Sequence, residues 1–116
     1  MPDSTQISEL KEQIKQFVKA RDWEKFHNPK DLSLSISVEA AELLENFQWE
    51  DTKPPSEVKK DPRLMDNIRE ELADVMIFSI CLANALDIDI SEIITEKIRK
   101  NHEKYPAEEY KGIAKK

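Results

Sequence analysis

The chain has 116 residues, a net charge of −6 and a single glycine, Gly112. Average usage of about 7% would give about eight glycines in this length, so a P-loop and a G-x-G-x-x-G dinucleotide motif are both excluded. Tight hairpins also favour glycine, which argues against a β-meander or β-sandwich. The net negative charge disfavours non-specific binding to nucleic-acid polymers, although it is compatible with a site that binds cations. The composition therefore indicates a helical protein punctuated by six prolines.

The length fits one domain, residues 1–116, that can bury one core. The single cysteine, Cys81, allows no internal disulfide and suggests a reducing compartment. Because it lies in an apolar run, we interpret it as a buried, inert thiol. The N-terminal residues lack the apolar segment of a signal peptide, and the longest nearly uncharged stretch, 72–86, is too short to span a bilayer. We therefore expect a cytoplasmic protein without a membrane partner.

The apolar spacing between the prolines predicts two helices in the first half of the chain. The first runs from about 5 to 21, and Asp3 or Ser4 can cap it. The second covers about 31–49. It begins with a period-two pattern that is typical of a strand, but it continues without a turn into strongly helix-forming residues. We interpret the whole segment as one helix, and because it is apolar on two sides we expect it to lie between neighbours.

The second half of the chain starts with a charged, proline-bearing connection over residues 50–66. Loops of this length are usually functional or mobile, and a solvated linker is an equal alternative. The third helix, about 66–86, is the most apolar and is predicted to lie at the centre. The fourth helix covers about 91–105, and residues 107–116 are expected to form a loose tail. Together these elements predict an all-α fold of the four-helix-bundle type, completed by a second copy of the chain.

Two pairs of carboxylates lie at three-residue spacing on the most apolar helices: Glu39 with Glu42, and Glu71 with Asp74. Residues three apart share one helix face, so each pair presents its carboxylates side by side. Both pairs continue into apolar surface, where like charges are unfavourable unless a cation compensates them. Two pairs that face each other would form an oxygen-only site for Mg²⁺ or Mn²⁺. Spacing alone leaves ordinary surface acids as an equal alternative.

Other metal chemistries lack the residues that they need. Glu24 and His27 form one E-x-x-H motif, whereas diiron bundles use two. The sequence has no cluster of cysteine or histidine for zinc.

Two further groups of residues could bind an organic anion. Lys97, Asn101 and Tyr105 are four apart on the fourth helix and could contact phosphate. Their spacing alone favours the solvated side of an amphipathic helix. Trp23 and Trp49 flank the second helix and could stack on a nucleobase, although tryptophans at helix ends are more often core residues.

These motifs in combination resemble a known family. The chain is similar to the MazG-like nucleoside triphosphate pyrophosphohydrolases, and among them to the dCTP pyrophosphatase type, in the runs RDWEKFHNPKDLSLSISVEAAELLENFQW, EELADVMIF and KIRKNHEKYP. The resemblance covers residues 16–106. It implies an all-α homo-dimer or homo-tetramer that hydrolyses a nucleoside triphosphate to the monophosphate and pyrophosphate with Mg²⁺.

The resemblance also implies roles for individual residues. The acids of its E-x-x-E and E-x-x-D motifs are metal ligands and correspond to Glu39, Glu42, Glu71 and Asp74. The positions that line the base pocket correspond to Trp23, His27 and Trp49. The strip near the triphosphate corresponds to Lys97, Asn101 and Tyr105. Two residues depart from the dCTP-type pattern, Ile14 in place of a histidine and Phe78 in place of a tyrosine, so the base preference is left open.

Our first hypothesis is therefore an Mg²⁺-dependent pyrophosphohydrolase that acts on (deoxy)nucleoside triphosphates, with Mn²⁺ as a substitute ion. Its predicted substrates are pyrimidines such as dCTP or a modified analogue, cleared from the nucleotide pool. Glu42 and Glu71 are the predicted catalytic residues, with Glu42 activating water. The alternative is a non-catalytic helical module that binds a nucleotide or a protein. A third hypothesis is hydrolysis of another phosphoanhydride, such as a dinucleotide polyphosphate.

Overall fold

A computed structural model describes residues 6–113, and these residues form an all-helical fold, as the sequence predicts. In chain order the elements are α1 (Ile7–Ala20), a 3-10 turn (Glu24–Phe26), α2 (Pro29–Glu45), α3 (Pro55–Val58), α4 (Pro62–Ala85), α5 (Ile90–Lys104) and α6 (Ala107–Tyr110). No helix within the described part of the chain is long and apolar enough to cross a bilayer. The predicted caps at residues 3 and 4 lie outside the described residues.

Prolines start α2 and α4, so both helices begin earlier than predicted. α2 begins at Pro29 instead of 31, and the side chain of Asn28 caps it by accepting the Asp31 N–H at 2.9 Å. α4 begins at Pro62 instead of 66, with Asp61 as its cap. Proline suits the first helical turn because that position needs no backbone donor.

Two segments differ from the predicted helix ends. Residues 46–49 form a turn instead of the last turn of α2, so Trp49 lies beyond the helix and is 88% exposed. In the predicted loose tail, Ala107–Tyr110 forms a helical turn. The Tyr110 ring packs edge-on against Tyr105 with centroids 5.2 Å apart, which ties this turn to the end of α5.

The core lies where α4 packs along α2 and, near one end, against α1. This is the central position that the sequence predicts for the most apolar helix. The buried apolar residues of the described chain come from all three helices: Val18, Leu32, Cys81 and Ala83. Cys81 is the buried thiol that the sequence predicts, and its burial raises its pKa.

Much apolar surface stays exposed in a single chain. Half-exposed apolar residues recur at four-residue spacing on three helices: Leu34 and Val38 on α2, Leu72 and Met76 on α4, and Ile94 and Ile98 on α5. The contact of α5 with α2 and α4 is at most slight. The radius of gyration is 17.1 Å, whereas a compact domain of 100 residues has about 13 Å. Open apolar stripes of this kind mark interaction surfaces.

α4 ends in a left-handed turn that has no glycine. The Ile88 N–H donates to the Ala83 carbonyl at 2.9 Å, which is the long bond of a Schellman motif. Asp87, between them, has φ of +54°, and α1 ends in the same way at Asp22. Because a Cβ in this region approaches the following carbonyl, the conformation costs about 1–2 kcal/mol for most residues, although aspartate tolerates it better.

We therefore expect Asp87→Gly to raise the free energy of unfolding by about 0.5 kcal/mol. Glycine removes the contact of the Cβ with the backbone, and its greater freedom in the unfolded chain offsets part of the gain. Urea denaturation measures the change. Asp51→Gly is the matched control, since Asp51 has no positive φ and the same substitution should destabilise there. Equal effects of the two substitutions would contradict the assignment of strain to Asp87.

Candidate metal centre

Three of the four acids predicted to bind metal converge between α2 and α4. One carboxylate oxygen each of Glu39, Glu42 and Glu71 lies within 4.8 Å of the other two. They meet because three-residue spacing turns both acids of α2 towards α4, where the packing of the two helices brings in Glu71. All three side chains are half-buried.

The fourth acid, Asp74, lies one turn beyond Glu71 on α4 and is half-buried. It is outside the group of three that share one centre. Its charge nevertheless raises the pKa values of both Glu39 and Glu71, so it belongs to the same electrostatic cluster.

Two oxygens of this cluster have no partner among the described residues. Glu39 Oε2 and Glu71 Oε2 are shielded from solvent and accept no hydrogen bond. An unsatisfied buried acceptor costs free energy, and more so when it is charged. An oxygen-only set of carboxylates is the donor type that hard divalent cations prefer. The residues therefore fit a divalent metal ion, which would satisfy both oxygens.

The electrostatics of the cluster agree with this fit. Burial, followed by the neighbouring Glu42, raises the pKa of Glu39 from 4.5 to about 7. The pKa of Glu71 is also raised, first by burial and then by Glu42. Without a cation, the folded protein resists full ionisation of the cluster.

A cleft adjoins the acids along both helices. It has a volume of about 220 Å³ and is lined by Trp23, Phe26, His27, Asp31, Leu32, Ser35 and Phe78. Ser35 lies one turn before Glu39 on α2, and Phe78 lies one turn after Asp74 on α4. A ligand that contacts both the cleft and the acids therefore needs to extend along the helices by about one turn.

The cleft contains two of the three residues predicted for the base pocket, Trp23 and His27. Sequence reasoning did not assign Phe26, Asp31 or Ser35 to it. The four-residue spacing of Asp31, Ser35 and Glu39 would have placed them on one stripe of α2. The 3-10 turn lies against this stripe because of tertiary packing, which the spacing of residues along the chain does not predict.

The other predicted ligand residues are not brought to the acids within one chain. Lys97 and Asn101 lie on α5 and Tyr105 directly follows it. The contact of α5 with α2 and α4 is at most slight. Asn101 and Tyr105 instead line a separate cleft of about 350 Å³ together with α6. Trp49 projects from the turn after α2.

A known family combines this all-helical fold with paired acids on adjacent helices. The MazG-like family model matches residues 34–116, which include both acidic pairs. The chain belongs to the MazG-like family, as its motifs indicate.

Individual relatives are similar over most of this chain. dCTP pyrophosphatase 1 of Mus musculus is 32% identical over 113 residues, which are 97% of this chain and 66% of that protein. The Homo sapiens protein of the same name is 34% identical over 106 residues, 91% of this chain and 62% of that protein. This chain thus spans slightly less than two thirds of these relatives.

A crystal structure of a pyrophosphatase from Archaeoglobus fulgidus has the same fold. It superposes with a TM-score of 0.77 at 39% identity, over 86% of this chain and 92% of that chain.

We expect Glu39→Gln to stabilise the metal-free protein at alkaline pH. Because folding raises the pKa of Glu39 from 4.5 to about 7, the folded state holds more protons in this range, and stability falls as the pH rises through it. The Glu39→Gln variant has no charge at this position, so its stability does not fall for this reason as the pH rises. In EDTA at pH 8 its melting temperature should exceed that of the wild type, and the difference should vanish near pH 4.5.

Circular dichroism melts across pH measure this effect, and Glu45→Gln, an exposed acid on the same helix, is the control. Mg²⁺ should raise the melting temperature of the wild type and of the control but not that of Glu39→Gln. A Glu39→Gln variant that melts below the wild type at pH 8 in EDTA would refute the electrostatic account.

Proposed function

We propose that this protein is a divalent-metal-dependent hydrolase that converts nucleoside triphosphates to the monophosphate and pyrophosphate. The observation that carries the proposal is the pair of buried, unpartnered oxygens on Glu39 and Glu71 beside an aromatic cleft. Membership of the MazG-like family and the names of the pyrophosphatases that it resembles support the same activity. Mg²⁺ is the expected ion, with Mn²⁺ as a substitute, because the ligands are all oxygen.

In this proposal Glu39, Glu42, Glu71 and Asp74 hold the metal. A bound divalent ion would offset the charge of the triphosphate and polarise the attacked phosphorus. Glu42 accepts the proton of the attacking water as the water oxygen bonds to phosphorus and the phosphoanhydride bond to pyrophosphate breaks. The rigid helices keep these carboxylates in place, so binding does not have to assemble them.

The base of the nucleotide is proposed to enter the cleft beside the acids. Trp23, Phe26 and Phe78 supply aromatic surface, and base–aromatic stacking contributes about 1–3 kcal/mol per base. His27 adds a polar group to the same wall. A pyrimidine such as that of dCTP, natural or modified, is the expected substrate, and removal of unwanted nucleotides is the expected cellular purpose.

A second copy of the chain is proposed to complete the site, in a homo-dimer or homo-tetramer. The open stripes on α2, α4 and α5 provide apolar surface for it. Lys97, Asn101, Tyr105 and Trp49, which lie away from the acids of their own chain, would then serve the site of a neighbour.

We expect Glu71→Gln to lower kcat/KM for the best nucleoside triphosphate by about 100-fold or more, since loss of a metal ligand removes several kcal/mol of transition-state stabilisation. Product analysis by chromatography, with and without Mg²⁺, measures the rate and identifies monophosphate and pyrophosphate. Glu70→Gln is the matched control because Glu70 is exposed and lies outside the cluster.

The proposal fails if no natural or modified nucleotide is hydrolysed with Mg²⁺ or Mn²⁺, or if Glu71→Gln is as active as Glu70→Gln. Nucleotide binding of equal strength with and without metal, in the absence of hydrolysis, would instead favour a non-catalytic binding module. Turnover of dinucleotide polyphosphates alone would favour another phosphoanhydride as the substrate.

We also expect light scattering to give a particle mass of two or four times 13.5 kDa, and Met76→Lys to reduce it. Met76 is 57% exposed on α4, and a charge there would oppose burial in an interface. Asn67→Lys, on an exposed position of the same helix, should leave the mass unchanged. A wild-type protein that is monomeric at high concentration would contradict this assembly.

A further inference from the structure

One stripe of α2 leads from the candidate metal centre into the adjoining cleft. Asp31, Ser35 and Glu39 are spaced four residues apart, so they stand one above another on the helix. Glu39 belongs to the acidic cluster, whereas Asp31 and Ser35 line the cleft. A ring bound in the cleft would therefore have a carboxylate and a hydroxyl available in the lining, beside the aromatic side chains.

The carboxylate of Asp31 is held in place by the residue that caps the helix. Asn28 donates from its Nδ2 to Asp31 Oδ2 at 2.7 Å and accepts the Asp31 N–H on its own Oδ1 at 2.9 Å. These reciprocal bonds fix the side chain at the mouth of the cleft and occupy one of its oxygens. The other oxygen has its full acceptor capacity, because a carboxylate has about four lone-pair sites.

The hydroxyl of Ser35 also has capacity for a ligand. Among residues 6–113 it makes no hydrogen bond, unlike Ser37 and Ser79, whose hydroxyls donate to the backbone carbonyl one turn earlier on their helices. Ser35 is half-buried. A hydroxyl can donate or accept, whereas an ionised carboxylate only accepts.

We propose that Asp31 selects nucleotides whose base carries an exocyclic amine, cytosine over uracil or thymine. The amine donates to the Asp31 carboxylate, and Ser35 donates to the adjacent ring nitrogen. Acidic side chains accept from the cytosine amine in the same way when proteins recognise DNA bases. Uracil and thymine present a carbonyl at that position, which meets an acceptor and leaves both groups unpaired. This inference rests on the proposed function for the orientation of the nucleotide.

The test compares dCMP with dUMP by calorimetric binding in EDTA, so that the readout needs neither metal nor turnover. The wild type should bind dCMP about 10-fold more tightly than dUMP. Asp31→Asn offers an amide in place of one oxygen and should bring the ratio to about one or reverse it, because the amide can donate to a carbonyl.

Two further variants serve as controls. Asp31→Glu keeps an acceptor and should retain a preference for dCMP. Asp66→Asn removes the same charge from an exposed position of α4 that forms an ion pair with Arg69, and should leave the ratio unchanged. Melting curves verify that each variant is folded.

The inference is overturned if the wild type binds the two nucleotides equally or binds neither, or if Asp31→Asn retains the wild-type ratio. A parallel assay of dCTP and dUTP hydrolysis with Mg²⁺ separates this result from failure of the proposed function. Absence of turnover beside an Asp31-dependent binding ratio would refute the hydrolase and keep the selectivity. Turnover together with an Asp31→Asn binding ratio equal to that of the wild type would keep the hydrolase and refute the selectivity.

Discussion

Repulsion among the carboxylates packed between α2 and α4 opposes the main helix–helix contact of this fold. Glu39, Glu42 and Glu71 share a space less than 5 Å across, and two of their oxygens are shielded from water and unpartnered. Hydrophobic packing of the two helices holds these charges together although the charges themselves oppose it. A cation bound between the helices would offset this repulsion. The same contacts that destabilise the metal-free fold would then select and retain the ion.

The lack of glycine acts together with this constraint. Proteins often cradle phosphate with backbone amides of glycine-rich loops, and this chain has no such loop. Metal ions between carboxylates and phosphates offer another way for an acidic protein to bind a triphosphate. Unbroken helices suit that solution, because a misplaced carboxylate costs both affinity and rate. The left-handed turn at Asp87 is a place where the fold tolerates strain in the absence of glycine.

A single chain leaves much of its apolar surface unburied. The buried core is small, apolar stripes on three helices are open, and the contact of α5 with α2 and α4 is at most slight. Lys97 and Asn101, which we propose contact the triphosphate, lie on α5. Assembly with a second copy would thus bury the apolar stripes and also complete the site, since the stripes and the site residues belong to the same helices.

The all-α class, the two acidic pairs and membership of the MazG-like family could be predicted from the sequence, because each depends on local spacing along the chain. The starts of α2 and α4 were predicted a few residues too late, because capping by Asn28 and Asp61, and not apolar periodicity, sets where these helices begin. The meeting of three acids in one centre, and the presence of Phe26 and Asp31 in the adjoining cleft, follow from tertiary packing. Trp49, in contrast, lies outside the residues that line that cleft. The physical reason is that these relations depend on which helix faces pack together, a property that residues close in sequence do not specify.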